Sequence, residues 1–193
     1  MRKAVFIILF SIFSMFVSAQ VNEYGVPFVE HYSTQITGGS EQYWCITKDV
    51  FGNLWMGNHD RGVVKYDGTK WINIPVKDNP RMFDLKSDDR GVIFVAAAFE
   101  FGYIQPGEKG GYEYLSLAER VDTSSNIMYV YKIVIDDGIV NYLSPRTIFR
   151  YHIENDSLSS VDLGAMGIRD ANRLVAIGDK MILADQGSGL YEF

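Results

Sequence analysis

After residue 20 the chain alternates short apolar runs with clusters of Asp, Gly, Asn and Ser, and no stretch keeps the 3.6-residue period of a good amphipathic helix. The clearest unit is Tyr43 to Pro75, YWCITKDVFGNLWMGNHDRGVVKYDGTKWINIP. It predicts four short strands, at Trp44 to Lys48, Leu54 to Gly57, Gly62 to Tyr66 and Trp71 to Ile74. Asp49 to Asn53, Asn58 to Arg61 and Asp67 to Lys70 join them, built from residues that accept turn dihedrals. The Asp67-Gly68 step between β-rich runs is a hairpin signal.

The pattern returns. Phe83 to Lys86, a turn over Ser87, Asp88, Asp89, Arg90 and Gly91, then Val92 to Ala96, Gly102 to Gln105 and Tyr112 to Leu117 form a second unit. A third is Tyr131 to Ile135, the turn Asp136-Asp137-Gly138, Ile139 to Leu143, Thr147 to Ile153 and Ser159 to Leu163. A fourth runs from Arg173 to Ile177 through Gly178-Asp179-Lys180 and Met181 to Ala184 to Gly189 to Phe193. Four short strands every forty or so residues is the signature of an all-β propeller of four-stranded antiparallel blades. The blades are expected over 43–75, 80–117, 128–163 and 168–193. A β-sandwich need not repeat one pattern, and a βαβ fold needs helices between its strands.

About four blades are present, so the ring reads as incomplete and the chain as the front part of a longer protein. Within the N-terminal segment 20–42, residues Val26 to Tyr32 predict a further strand, a clasp for the last blade. A four-bladed ring closed by this strand is the alternative. Residues 1–19 read as a signal peptide: Met1-Arg2-Lys3 is basic, Ala4 to Val17 is apolar apart from Ser11 and Ser14, and Val17-Ser18-Ala19 suits signal peptidase. The apolar run is shorter than the ~20 residues of a membrane span. The expected location is therefore the periplasm.

Composition narrows the function. The 18 Lys and Arg against 24 Asp and Glu give a net charge of -6, which argues against a nucleic-acid grip. The 14% aromatic share favours strands. A single Cys, Cys45 between Trp44 and Ile46, excludes a disulfide framework and reads as a buried, inert thiol.

The unit Ile46 to Gly57, ITKDVFGNLWMG, with Gly62 to Gly68, GVVKYDG, resembles the two-component regulator propeller repeat. Asp49, Gly52, Trp55, Gly57, Gly62, Tyr66 and Gly68 fill its pattern. Asp88, Gly91, Phe94 and Gly102 stand at related places in the second unit, and Gly138 in the third; Tyr142 and Leu183 stand near the Trp position of the last two. Glu100 to Ile104 and Gly25 to Tyr32 are also similar to segments of one subgroup. In that subgroup the propeller precedes a triple-tyrosine β-sandwich, a membrane helix and a histidine kinase or helix-turn-helix output. The resemblance implies a periplasmic sensor region, with inner-membrane anchoring and a homodimer in the full-length protein.

Catalytic patterns are lacking: no HExxH, GxSxG, P-loop or CxxC occurs. His31, His59 and His152 share no ligand spacing, and Asp88-Asp89 and Asp136-Asp137 precede turn glycines and lack a calcium-loop pattern. No metal, cofactor or catalytic residue is therefore assigned. The propeller topology sorts the loops instead. Turns after strands one and three are tight and repetitive, whereas those after strands two and four vary. The variable set holds Asn58, His59, Asp60, Arg61, Arg81, Phe99, Glu100 and Arg146, polar groups beside one aromatic that suit a saccharide or other small polar ligand. The expected function is non-catalytic ligand sensing. An exported lyase or glycosidase would need acid and base groups among His59, Asp60 and Glu100, and a secreted protein-binding scaffold is the third reading.

Overall fold

The computed structural model describes residue 25 and residues 29–108, 110–122 and 127–193. The chain divides into two compact units, Met1–His31 and Tyr32–Phe193. The expected signal peptide lies outside the described residues, as do Val26 to Phe28 of the expected clasp. Val29 to Tyr32 do not form a strand.

Four antiparallel sheets follow in sequence order. Blade one is β1 (Tyr43–Lys48), β2 (Leu54–Asn58), β3 (Val63–Tyr66) and β4 (Trp71–Ile74). Blade two is β5 (Met82–Ser87), β6 (Ile93–Ala97), β7 (Glu100–Pro106) and β8 (Tyr112–Ser116). Blade three is β9 (Lys132–Asp136), β10 (Ile139–Ser144), β11 (Thr147–His152) and β12 (Ser157–Asp162). Blade four is β13 (Ala171–Ile177), β14 (Lys180–Asp185) and β15 (Gly189–Glu192). Each sheet is a simple meander, and the first strands β1, β5, β9 and β13 pack side by side in that order. This is the blade arrangement of a propeller. Among the described residues the ring is not closed, and Trp44 and Ile46 of β1 and Val175 and Ile177 of β13 remain exposed.

Strand alternation turns one face of each blade to the blade before it and the other to the blade after it. Trp55 and Val63 of blade one meet Leu85, Ile93, Val95 and Ile104 of blade two. Phe94, Ala96 and Phe101 of blade two meet Ile133, Val140, Tyr142 and Phe149 of blade three. Val134, Leu143 and Ile148 of blade three meet Leu174 and Leu183 of blade four. The first seam carries a buried cation. Lys65, paired across the strands with Trp55, donates from Nζ to the Tyr112 hydroxyl at 2.7 Å and lies 4.7 Å from that ring's centre. Cys45 lines the same seam, where burial and then the Asp84 charge push its thiol up to about 12. Such a thiol stays protonated and unreactive at neutral pH.

One sequence alignment is corrected by the structure. Trp55 and Phe94 both face the following blade, but Tyr142 faces the preceding one, 4.8 Å from Phe101, and donates its hydroxyl to the Gly102 carbonyl at 2.7 Å. Leu183 likewise faces backwards, into the seam with blade three. The hairpins of blades three and four turn over two residues, Asp137-Gly138 and Gly178-Asp179, instead of the five of blades one and two. The odd difference in turn length shifts the side-chain parity, and a one-residue slip exchanges the faces.

Candidate functional site at the variable-loop face

The two ends of the blades differ in construction. At the turn end, Asp49 Oδ1 accepts the amides of Phe51 and Asn53, and Oδ2 accepts Asn53 Nδ2 and Trp55 Nε1, the last at 2.8 Å. Burial acts to raise this carboxyl, but these donors hold it below the usual range. Gly52 and Gly91 close the equivalent turns of blades one and two at φ of 89° and 82°, a region that favours glycine.

At the opposite end lie the β2–β3, β4–β5, β6–β7, β8–β9 and β10–β11 connections. Strand one of each blade begins here, beside the propeller's centre. Its pairing with strand two slips between Tyr43 and Cys45, between Met82 and Asp84, and between Ala171 and Arg173. Trp44, Phe83 and Asn172 are therefore bulge residues at one repeated place, and bulges re-aim side chains. Phe83 stands 5.4 Å from Tyr131 and 5.8 Å from Tyr129, and those tyrosines stack on each other at 5.8 Å. Tyr129 in turn lies 5.6 Å from Phe99. Trp44, 49% exposed, makes a second platform, with the His59 ring at 6.2 Å and the Arg81 guanidinium 5.2 Å above it.

This aromatic strip was missed in the sequence, which marked only Phe99 on this face. Its signal was the recurrence of Trp44, Phe83 and Tyr131 at the start of strand one of successive units. Phe99 itself is 62% exposed and holds φ at 62°, an unusual conformation for a bulky residue. Its amide donates to the Met128 carbonyl at 2.6 Å, and the bridge between Ala98 and Tyr129 ties the same turn to the β8–β9 connection.

The other expected ligand residues fall into four groups. Asn58 is enclosed: it is 0% exposed, Oδ1 accepts the Ser40 hydroxyl at 2.7 Å, and Nδ2 donates to the Ser40 carbonyl. Its side chain braces the loop against Ser40. His59 and Arg81 meet at Trp44. Asp60, Arg61 and Arg146 are exposed, and Arg146 stands beside Gly164 at blade three's turn. Glu100 is buried, and its Oε1 accepts the Phe101 amide and the Tyr114 and Ser116 hydroxyls at 2.8, 3.0 and 2.8 Å. Burial raises its carboxyl above the ordinary range despite these donors. Nearby Gly102 is needed for packing, because a Cβ there would collide with the Leu115 carbonyl of β8. Flat apolar rings with charged and hydrogen-bonding groups at their edge suit stacking on a sugar or another planar ligand. Among the described residues no three His, Cys, Asp or Glu side chains converge as metal ligands.

No family model matches this chain, and no curated protein matches it. Solved structures do. The chain is similar to PorZ, a bacterial surface component of the type-IX secretion system of Porphyromonas gingivalis, with TM-score 0.63 and 16% identity over 86% of this chain and 28% of that one. It is similar to the extracellular domain of a hybrid two-component system from B. thetaiotaomicron, with TM-score 0.59 and 16% identity over 86% of this chain and 23% of that one. Virginiamycin B lyase from Staphylococcus aureus gives TM-score 0.53 and 14% identity over 80% of this chain and 56% of the lyase. In each case the match spans less than two thirds of the other chain. At these identities the likeness concerns the fold.

Proposed function

We propose that this chain is the extracytoplasmic, non-catalytic sensing region of a two-component type regulator, and that it binds a saccharide on the variable-loop face. The observation that carries the reading is the strip formed by Phe83, Tyr131, Tyr129 and Phe99, with Trp44 beside it, at the mouth of the propeller's centre. The exposed rings of Trp44, Tyr129 and Phe99, extended by the half-buried Phe83 and Tyr131, lose their hydration cheaply to the flat apolar face of a sugar, and His59, Asp60, Arg61 and Arg81 supply edge contacts to its hydroxyls. The fold shared with a two-component extracellular domain supports the role of sensor. Binding shifts the packing of the propeller against the parts of a longer, membrane-anchored protein that carry the output, by as much as the ligand's affinity differs between the two packings. A homodimer of the full-length protein would transmit that change.

Titration of the protein with a panel of oligosaccharides, read by calorimetry, tests the reading. Binding of at least one neutral oligosaccharide, weakened about tenfold or more in Phe83→Ala, is expected from loss of one stacking partner. Turnover of a polysaccharide that is lost in Asp60→Asn would contradict the non-catalytic reading and favour an exported enzyme.

A further inference from the structure

We infer that the cavity at the loop end of blade two is a binding site for an organic ammonium group carried on a small ligand. The cavity holds about 580 Å³ and is lined by the β4–β5 loop (Lys77, Asp78, Pro80), the β6–β7 turn (Ala98, Phe99, Glu100) and residues after β8 (Ala118, Glu119, Ile127). The proposal rests on the loop face being the ligand face, and it names the chemistry of one part of that face.

Three features specify the ligand. First, Glu100 is 6% exposed and lines the cavity; its three donors all reach Oε1, and it forms no salt bridge among the described residues, so a ligand cation could pair with it there. Its carboxyl is raised by burial, the direction expected of a carboxylate short of positive charge. Second, the cation of the cavity is already engaged. Lys77 Nζ donates to Glu119 at 2.7 Å, which leaves Glu100 and the exposed Asp78 without a salt bridge among the described residues. The cavity therefore favours a cation and disfavours an anion. Third, the rest of the lining is apolar and includes the exposed Phe99, an aromatic ring of the kind that attracts ammonium groups. A bare metal ion would find too few ligands, since no three acidic, His or Cys groups converge among the described residues. The shared chemistry is a primary amine, whether on an amino sugar or on an aliphatic diamine.

Calorimetry on the whole chain with putrescine against 1,4-butanediol, and with glucosamine against N-acetylglucosamine, tests this. Each amine is expected to bind at least about tenfold more tightly than its neutral counterpart, since charge-assisted bonds are about twice as strong as neutral ones. Glu100→Gln keeps an acceptor for the three donors and should abolish the preference for the amine. Asp78→Asn is exposed and keeps the fold, so it carries the test should the first variant unfold; it should lower putrescine affinity about threefold by removing one nearby charge. Equal binding of amine and neutral probes, absence of amine binding, or amine binding unchanged in both variants would overturn the inference. Loss of neutral oligosaccharide binding in Phe83→Ala with no amine preference would sink this inference and leave the sensing role standing. Amine binding without any saccharide binding would do the reverse.

Discussion

The turn from β1 to β2 and the turn from β6 to β7 sit at opposite ends of the blades and are built by different rules. In the first, one buried carboxylate takes four donors from three residues, Phe51, Asn53 and Trp55, while the Phe51 ring stays exposed. In the second, a bulky Phe99 is held at positive φ and 62% exposed, next to the buried Glu100 carboxylate. The turn-end carboxylate serves the turn's own donors, whereas the loop end leaves aromatic surface exposed. Stability is expected to reside at the first and recognition at the second. Blade two shows that the turn rule survives changes of residue. Asp88 Oδ1 still accepts the amides of Arg90 and Val92, but Phe94 has no indole N–H, so Oδ2 pairs with the exposed Arg90 instead.

That contrast orders the effects of substitution. Trp55→Ala should cost the most, about 3–5 kcal/mol in urea unfolding, because it empties the seam between blades one and two and removes the ring that meets Tyr112 edge-on at 5.0 Å. Asp49→Ala should follow at about 2–3 kcal/mol, since it strands the buried Trp55 indole N–H and the part-buried amides of Phe51 and Asn53. Asp88→Ala should cost about 1 kcal/mol, because its Arg90 partner is solvent-exposed and such pairs contribute little. Phe83→Ala and Phe99→Ala should stay within about 1 kcal/mol of the parent while weakening ligand binding. A loop-end variant that unfolds the protein, or a turn-end variant that spares stability and loses binding, would erase the division. Acid sharpens it further. The Asp49 carboxyl lies below its unfolded value, so its contribution is present above the ordinary Asp range near pH 4 and is lost as pH falls through the lowered folded value. Asp49→Asn should flatten that part of the stability profile, measured by denaturant unfolding as pH falls below about 4.

Much of the fold was legible because turn chemistry is local. Asp49, Gly52, Asp67, Gly68 and Gly138 announce hairpins wherever they fall, and the strands between them follow by length and alternation. Parity was harder. Whether Tyr142 faces blade two or blade four depends on whether the preceding hairpin turns over two residues or five, and spacing of glycines alone does not fix it. The candidate site was legible only as a face. Topology put Phe99, Glu100, Arg81 and His59 at the loop end, but the value of Trp44 and Phe83 depends on strand bulges that disrupt no pattern in the sequence. The enclosure of Asn58 was hidden for a related reason: a polar loop residue looks free until the chain that folds over it, here Ser40, is in place.

Hydrogen–deuterium exchange of the protein with and without the tightest oligosaccharide of the panel tests the division between the two ends directly. Added protection is expected in the backbone around Trp44, His59 to Arg61, Arg81 to Phe83, Ala98 to Glu100 and Met128 to Tyr131, with the turns at Asp49, Asp67, Asp88 and Gly138 unchanged. Protection centred on those turns, or a panel in which nothing binds, would contradict the account.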